Sequence, residues 1–240
     1  MTSTCVLKIP TADAVGIFRW ANEMDSSYQE KLQIICRTWA AAVEGIKGTE
    51  SRLAFFYKEL SALALNREFF KSVLTSWLTG SAHSVLRQET MFDNELVLYR
   101  DPGRLFSLRL YIFGPGEHTI VHDHISWGVI SSAFGPLEVI RYRREDDGSN
   151  PDYARVTSAE RIVLKPGEIE TTLPFDRGIH RTGNPGEGIT LMASVYGTPL
   201  RRLYIQCFNP ENGSVERLFM PRVKKKLLIE QALAAITRNR

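Results

Sequence analysis

Two histidines separated by one residue, in the segment HTIVHDHISWGVI at residues 118 to 130, are the first residues that could do chemistry. Side chains at i and i+2 of a strand point the same way, about 6.6–7 Å apart along the backbone. His122 and His124 would therefore converge on one side, whereas Asp123 would face the other. Two buried imidazoles without a metal would each need a partner and would repel each other if protonated. The pattern favours a metal site over a strand with hydrogen-bonded core histidines.

The third candidate ligand is His180, in the segment DRGIHRTGN. It follows a predicted strand and precedes a turn, far downstream of His124. Strands that are distant in sequence can be neighbours in a barrel, so the three histidines could share one ion. The other two histidines are expected to lie outside the site, His118 in the turn before the motif and His83 on the surface.

The N-terminal part has the periodicity of amphipathic helices, from about residue 11 to residue 88. One apolar stripe consists of Leu32, Ile35, Cys36, Trp39 and Val43, with Gly45 and Gly48 as expected stops. A second pattern continues to Gly80 through Leu53, Phe56, Leu60, Leu63, Phe69, Val73 and Trp77. These apolar faces must pack against another layer.

From about residue 95 the apolar residues alternate with a period of two. In RLFSLRLYIF, one face of the predicted strand carries Phe106, Leu108, Leu110 and Ile112, and the other carries Ser107, Arg109 and Tyr111. Similar short runs follow between turns rich in Gly and Pro, which is typical of a sandwich, barrel or jelly roll. A final helix is predicted from Pro221, with candidate contacts at Leu227, Leu228, Gln231, Leu233 and Ile236.

Two segments resemble the motifs of the cupin superfamily. GEHTIVHDHISWGVISSAFG is similar to the first motif, except that Gly128 stands where a glutamate is usual; the matching positions are Gly116, His122, His124 and Gly135. LPFDRGIHRTGN resembles the second motif, at Pro174, Gly178, His180 and Asn184. Three histidines without the acid resemble the thiol dioxygenases, the group of cysteine dioxygenase and 3-mercaptopropionate dioxygenase. The similarity covers roughly residues 95 to 212.

The resemblance implies a mainly β protein with a helical N-terminal part. The expected fold is the cupin double-stranded β-helix, a jelly-roll barrel with helices packed on the outside. Its expected parts are a helical region at 1–90, the barrel at 91–220 and a C-terminal helix at 221–240, all in one structural domain.

The resemblance also implies a function, that of a thiol dioxygenase-like oxidoreductase. His122, His124 and His180 would hold Fe(2+), which would bind a small-molecule thiolate beside O2 and give a sulfinate. On the residues alone the metal stays open, because three histidines also suit zinc, nickel or copper.

The resemblance gives Tyr196 a catalytic role as a hydrogen-bond donor to substrate or oxygen. The family carries a Ser-x-His-x-Tyr relay, and the matching positions here are Met192, Ser194 and Tyr196, so only the tyrosine is retained. The changed relay is consistent with a substrate larger than cysteine. The alternative for Tyr196 is a strand tyrosine whose hydroxyl is satisfied locally.

Candidate substrate-binding residues are Arg202, Arg201 and Trp127. The bacterial mercaptopropionate type uses an arginine some residues after the tyrosine, and the pair in YGTPLRRLY is the nearest match, offset by a few positions. An arginine fork would suit a carboxylate, although only one of the pair can face the pocket. Trp127 is expected at the barrel wall. The alternatives are two solvated arginines and a core tryptophan.

Composition argues against several classes of partner. A net charge of +3, from 30 Lys and Arg against 27 Asp and Glu, is too small to indicate a nucleic-acid site. No apolar run approaches the roughly 18 residues of a membrane helix, and the first residues do not resemble a secretory leader. The cysteines, Cys5, Cys36 and Cys207, are few and odd in number, so we expect a reducing, cytoplasmic setting.

Two other functions stay open on the residues. A cupin metal site could catalyse a different reaction, such as carbon–carbon dioxygenation, a lyase reaction or isomerisation, because one fold hosts many functions. The changed relay favours this alternative. A metal- or ligand-sensing cupin without turnover is the third possibility, although no recognisable DNA-binding helix-turn-helix supports a regulator.

Overall fold

The computed structural model describes residues 27–79 and 88–238, with side chains as far as residue 231. Expectations about Cys5, Gly80, His83, Leu233 and Ile236 therefore lie outside the described residues or side chains. Within these ranges, three helices precede the strands, α1 (Tyr28–Glu44), α2 (Thr49–Ala64) and α3 (Arg67–Leu78), and α4 (Pro221–Arg238) follows them.

The strands occupy the middle of the chain. They are β1 (Glu95–Arg100), β2 (Phe106–Phe113), β3 (Val121–His122), β4 (Gly128–Phe134), β5 (Leu137–Arg144), β6 (Val156–Leu164), β7 (Ile169–Thr172), β8 (His180–Gly183), β9 (Thr190–Gly197), β10 (Tyr204–Phe208) and β11 (Val215–Phe219). A short 3-10 helix, Phe175–Gly178, precedes β8.

Helix boundaries follow from local capping. Ser27 and Glu30 form a reciprocal capping box at the start of α1, and Gly45 ends that helix. The apolar pattern predicted from Leu53 to Trp77 forms two helices, α2 and α3. The break lies at Asn66, whose side chain accepts a 3.0 Å hydrogen bond from the Phe69 backbone N–H and so caps the start of α3. All five residues of the stripe expected on α1 are buried.

The strands form a nested set of antiparallel pairs. β2 pairs with β9, β3 with β8, β4 with β7, and β5 with β6. The two resulting sheets have the orders β1-β2-β9-β4-β7 and β11-β10-β3-β8-β5-β6. Eight strands nested in this way across two sheets make a jelly roll, or double-stranded β-helix. The predicted cupin fold class is confirmed.

An aromatic cluster joins the helices to the outer face of the first sheet. The ring of Phe56, on α2, lies 5.0 Å from Phe106, 5.6 Å from Trp127 and 5.6 Å from Trp39, measured between centroids. The Trp39 indole donates a 2.7 Å hydrogen bond to the carboxylate of Glu59, which satisfies the one polar atom of that ring. The helices thus pack on the outside of the barrel, as predicted.

The alternation predicted for β2 places apolar side chains towards the helices and polar side chains towards the space between the two sheets. Leu108 and Leu110 face the helices and are fully buried there. Ser107, Arg109 and Tyr111 face the space between the two sheets. The outer face of the first sheet is therefore covered by apolar side chains, and its inner face carries polar residues beside a second apolar cluster that includes Phe113, Ile130 and Met192.

The predictions that Trp77 and Leu228 make buried apolar contacts are wrong. Trp77 is 43% exposed, because α3 packs through Phe69, Phe70 and Val73 and Trp77 lies one turn beyond that contact. Leu228 is 54% exposed, on a helix that otherwise carries mostly solvated basic residues near its start.

Within the described ranges, no helix is both long and apolar enough to cross a membrane.

Replacing Phe56 by alanine tests how much the helical layer depends on this cluster. Phe56 is fully buried, so Phe56→Ala should lower the free energy of unfolding by about 3–5 kcal/mol through lost contacts and a residual cavity. The neighbouring Tyr57 is 53% exposed, and Tyr57→Ala should change stability by less than about 0.5 kcal/mol. Urea denaturation of both variants makes the comparison; equal losses would contradict the packing described.

Candidate metal centre

The two central ligand candidates enter the barrel from neighbouring strands. His122 on β3 is directly opposite His180 on β8, and it is also opposite Cys207 on β10. Residues directly opposite each other in an antiparallel pair share one face, with Cβ atoms about 4.5–5.5 Å apart. This register brings His122 and His180 side by side in the interior.

His124 lies just beyond the end of β3 and is held there by the backbone. The Asp123 N–H still donates to the carbonyl of Gln206 at 3.0 Å, so the strand-like alternation continues for one residue past His122. The carbonyl of His124 then accepts a 2.8 Å hydrogen bond from the N–H of Phe175. The histidines at i and i+2 therefore share a face, as predicted, although only the first lies within the strand bounds.

The three imidazoles converge. Their possible ligand atoms all lie within 4.8 Å of one another, and the ring centroids are 4.7–5.0 Å apart. Nε2 of His124 and Nε2 of His180 are 2.9 Å apart. Two nitrogens bound at right angles to one metal, each about 2.0–2.1 Å from it, would be about 3 Å apart. The cluster thus fits a shared ion.

Burial fixes the protonation of the cluster in the form that a metal needs. All three side chains are buried, and burial lowers the pKa of His122 to about 4. Burial also lowers the pKa of His124 and of His180, and the neighbouring imidazoles lower both further. Nδ1 of His122 lies 2.8 Å from the carbonyl of Ile120, so it carries the proton and leaves Nε2 free as a ligand.

No carboxylate belongs to the cluster among the described residues. Gly128 occupies the position where the resemblance expects an acid, and a Cβ atom there would lie 2.7 Å from two ring carbons of Tyr196. The tyrosine ring therefore takes the space that a side chain at position 128 would need. A divalent ion held here would keep its full charge, since all three ligands are neutral.

Tyr196 lies on β9 and forms one wall of the site. Its ring stacks on His124 with centroids 5.5 Å apart, and the guanidinium of Arg109 lies 5.3 Å from the ring centre. Burial raises the pKa of Tyr196, so its hydroxyl keeps its proton at neutral pH and can donate a hydrogen bond. The structure brings this residue to the histidines; its catalytic role remains a prediction.

Asp123 points away from the ligands, as the alternation predicted. One of its carboxylate oxygens accepts hydrogen bonds from Arg202 Nη2 at 2.6 Å and from the Gln206 N–H at 2.7 Å. The Arg202 guanidinium also lies 4.6 Å from the ring centre of Phe175. Asp123 and Arg202 together fix the backbone on which His122 and His124 stand.

The three predicted substrate-binding residues are not among the described residues that line the cavity beside the histidines. Arg202 forms the ion pair with Asp123, and Arg201 is exposed. Trp127 is 7% exposed and belongs to the aromatic cluster beneath the helices, which is the core position weighed as its alternative.

The cavity has a volume of about 440 Å³ and runs from the histidines to an opening beside β1 and β2. The polar wall of this cavity was not among the predicted site residues. Arg109 donates to the buried carboxylate of Glu95 and, through Nε, to Ser107 Oγ at 3.2 Å. The signal was present, since Arg109 stands on the polar face of an otherwise apolar strand.

No family model matches the chain. The solved structures to which it is similar include cupin-domain proteins. The Cupin_2 domain of an XRE family transcriptional regulator from Enterobacter cloacae is 17% identical, spans 44% of this chain and 96% of its own, and has a TM-score of 0.33. A cupin-2 domain protein from Rhodospirillum rubrum is 14% identical, spans 49% and 66%, and has a TM-score of 0.37.

A sugar phosphate isomerase from a cupin superfamily, from Silicibacter pomeroyi, is 14% identical, spans 53% of this chain and 78% of its own, and has a TM-score of 0.34. Similarities at this level assign neither an activity nor a ligand to the present chain. The fold is established by the strand pairing, and the candidate site rests on the geometry of its side chains.

Alanine substitutions test the cluster as a metal site. His122→Ala, His124→Ala and His180→Ala should each reduce bound metal from about one ion per chain to a small fraction, because each removes one of three protein ligands. His118→Ala is the matched control, since His118 bonds to Glu138 and to the Gly116 carbonyl outside the cluster. Elemental analysis after desalting measures the content. If one of these variants retains the full metal content, the substituted histidine is not a ligand.

The lowered pKa of His122 predicts acid sensitivity of the protein freed of metal by chelation. An unfolded histidine takes up its proton near pH 6.5, whereas folded His122 does so only near pH 4. Between these values the unfolded chain binds more protons, so the free energy of unfolding should fall as the pH falls. His122→Gln should reduce the loss between pH 6.5 and pH 4, as measured by urea denaturation across that range. An unchanged slope would contradict the assignment.

Proposed function

We propose that this chain is a three-histidine, iron(II)-dependent dioxygenase that oxidises the thiol of a small molecule to a sulfinate. The observation that carries the proposal is the donor set: three converging neutral imidazoles, with no carboxylate among the described residues of the cluster, at the inner end of a cavity. The site thus has the composition that the resemblance to thiol dioxygenases implies.

The donor set fits ferrous iron and an anionic substrate. Three neutral ligands on one side leave positions open and leave the +2 charge of the ion uncompensated, which favours a thiolate as the next ligand. Ferrous iron held by His122, His124 and His180 would supply a centre at which thiolate and O2 meet. The overall change is balanced as RS⁻ + O2 → RSO2⁻, in which sulfur is oxidised, both oxygen atoms are retained and no further reductant is needed.

The chain's own residues would position the thiol and limit water. The Tyr196 hydroxyl, kept protonated by burial, would donate a hydrogen bond at the reacting end of the substrate. The Arg109 guanidinium, which is paired with the Glu95 carboxylate, packs against the Tyr196 ring and would keep that ring in place. Met192 and the ring of Tyr111 contribute apolar surface to the adjoining wall, and the Tyr111 hydroxyl hydrogen-bonds to that of Tyr196.

One observation favours a second function, a different reaction at the same kind of metal site. Ser194 stands at the position of the relay histidine and is fully buried, so a hydroxyl occupies the place where the family has an imidazole. Proton transfer through the family relay is therefore not built into β9. A lyase or isomerase reaction would need the metal as a Lewis acid but would not need O2.

Oxygen consumption tests the proposed function. Protein purified anaerobically and loaded with ferrous iron should consume about one O2 per thiol when given cysteine, 3-mercaptopropionate, cysteamine or larger thiols. At least one of them should yield a product heavier by two oxygen atoms in mass spectrometry. An oxygen electrode and the mass of the product together distinguish dioxygenation from disulfide formation, which adds no oxygen to the thiol.

His180→Ala is the control for this experiment, since it removes one ligand and should abolish both uptake and product. Iron-loaded wild-type protein that consumes no O2 with any thiol would overturn the proposed function and leave the oxygen-independent alternative. Tyr196→Phe keeps the ring against His124 and removes only the hydroxyl, so a lower turnover number in that variant measures the hydrogen bond itself.

A further inference from the structure

The outer end of the cavity is formed by the turn between β1 and β2, and two arginines line it. Arg100 ends β1, and Arg104 lies in the turn; both are exposed at the opening and both line the same cavity as the three histidines. In the described part of the chain, neither guanidinium has an ion-pair or hydrogen-bond partner. The opening of the cavity thus carries two positively charged side chains, Arg100 and Arg104, that are not paired with any described residue.

The acidic groups of the cavity are engaged elsewhere. The Glu95 carboxylate holds Arg109 and accepts a 3.2 Å hydrogen bond from the Met91 N–H. The Asp101 carboxylate, the other acid in the lining, accepts a 3.0 Å hydrogen bond from the Leu105 N–H and so closes the turn from within. An anion that enters the mouth would therefore meet Arg100 and Arg104 without displacing an existing ion pair.

Arg104 is held in place by a backbone conformation that is unusual for its type. Its φ of 61° lies in the left-handed region, which costs free energy for a residue with a side chain. The conformation is fixed by the Arg104 N–H, which donates to the Asp101 carbonyl at 2.9 Å, and by the Arg104 carbonyl, which accepts from Thr198 Oγ1 at 2.7 Å. The turn that carries this arginine is thereby tied to the end of β9, the strand that carries Tyr196.

Strand register gives the distance between the two ends of the cavity. Arg100 is opposite Ser107, and Ser107 is opposite Tyr196, whose ring covers His124. Two strand spacings of about 4.8 Å separate the backbone of Arg100 from that of Tyr196, which is about 10 Å. Arg100 and Arg104 are exposed, whereas the histidines and Tyr196 are buried, so a ligand that contacts both ends must extend from the buried end of the cavity to its opening.

We infer that the substrate is an elongated thiol whose anionic group, a carboxylate or a phosphate, lies several atoms from sulfur and is bound by Arg100 and Arg104. This inference rests on the proposed function, because it places the sulfur at the histidines. The size of the cavity supports it, since a volume of about 440 Å³ lies within the range of about 300–1,000 Å³ typical of sites for ligands much larger than cysteine.

A set of thiols of equal length tests the inference. The probes are 6-mercaptohexanoate, 6-mercaptohexyl phosphate and the uncharged 6-mercaptohexan-1-ol, with 3-mercaptopropionate as the short anion. Binding to zinc-loaded protein is measured by calorimetry without oxygen. At least one long anion should bind about ten to a hundredfold more tightly than the alcohol, as expected for hydrogen bonds to a charged group, and more tightly than 3-mercaptopropionate. The ratio of the two long anions decides between carboxylate and phosphate.

Glutamine substitutions identify the residues responsible. Arg100→Gln and Arg104→Gln should each reduce the preference for the long anion over the alcohol, and the double variant should abolish it. Arg155→Gln, which removes an exposed arginine far from the cavity, should leave the preference unchanged. In the iron-loaded protein the same substitutions should raise KM for the long anion more than they lower kcat, since the arginines lie away from the reacting end.

The outcomes separate this inference from the proposed function. Equal affinity for the long anions and the alcohol, a preference for 3-mercaptopropionate, or a preference that survives in the double variant would each overturn the inference, whether or not O2 is consumed. Selective anaerobic binding that is lost in the double variant, together with no O2 uptake by iron-loaded protein, would support the anion site and overturn only dioxygenation.

Discussion

The candidate metal centre depends on one in-register pair, His122 opposite His180. A shift of one residue in this pairing would turn one imidazole to the outer face of its sheet, because side chains alternate along a strand. β3 is only two residues long and cannot fix its own register. The register is instead held from the outside, where Asp123 binds both Arg202 and the backbone of Gln206. An ion pair outside the cavity lining thus helps to set the geometry within it.

The first sheet can carry a polar inner face because its outer face is so thoroughly apolar. Buried charges are costly unless they are paired, and the interior contains several of them. Arg109 is balanced by Glu95, and the histidines stay neutral through their lowered pKa. The free energy that offsets this polar interior comes from the opposite side of the same strands, where Leu108 and Leu110 pack beneath the helices.

The β class of the fold and the convergence of His122 and His124 could be predicted from local periodicity, whereas the cupin topology and His180 were expected from the resemblance to two motifs. Alternation identified the two faces of β2, and the i, i+2 spacing gave His122 and His124. What could not be predicted depends on where distant segments meet. Arg202 looked like a binding residue by its distance from Tyr196 in the chain, yet the partner it meets is Asp123. The position of Arg100 and Arg104 at the opening of the cavity could not be predicted from the sequence either. It depends on a turn conformation and on the register of three strands.

The contact between Gly128 and Tyr196 also limits how this site could have arisen or could be redesigned. A four-ligand centre with a glutamate at position 128 and the present tyrosine wall cannot coexist, since both need the same volume. Exchanging one for the other requires two coordinated substitutions. Glutamate alone would clash with the ring, and shortening Tyr196 alone would open a void against His124. Each single substitution is therefore expected to be unfavourable, so conversion of one kind of centre into the other is expected to take both changes together.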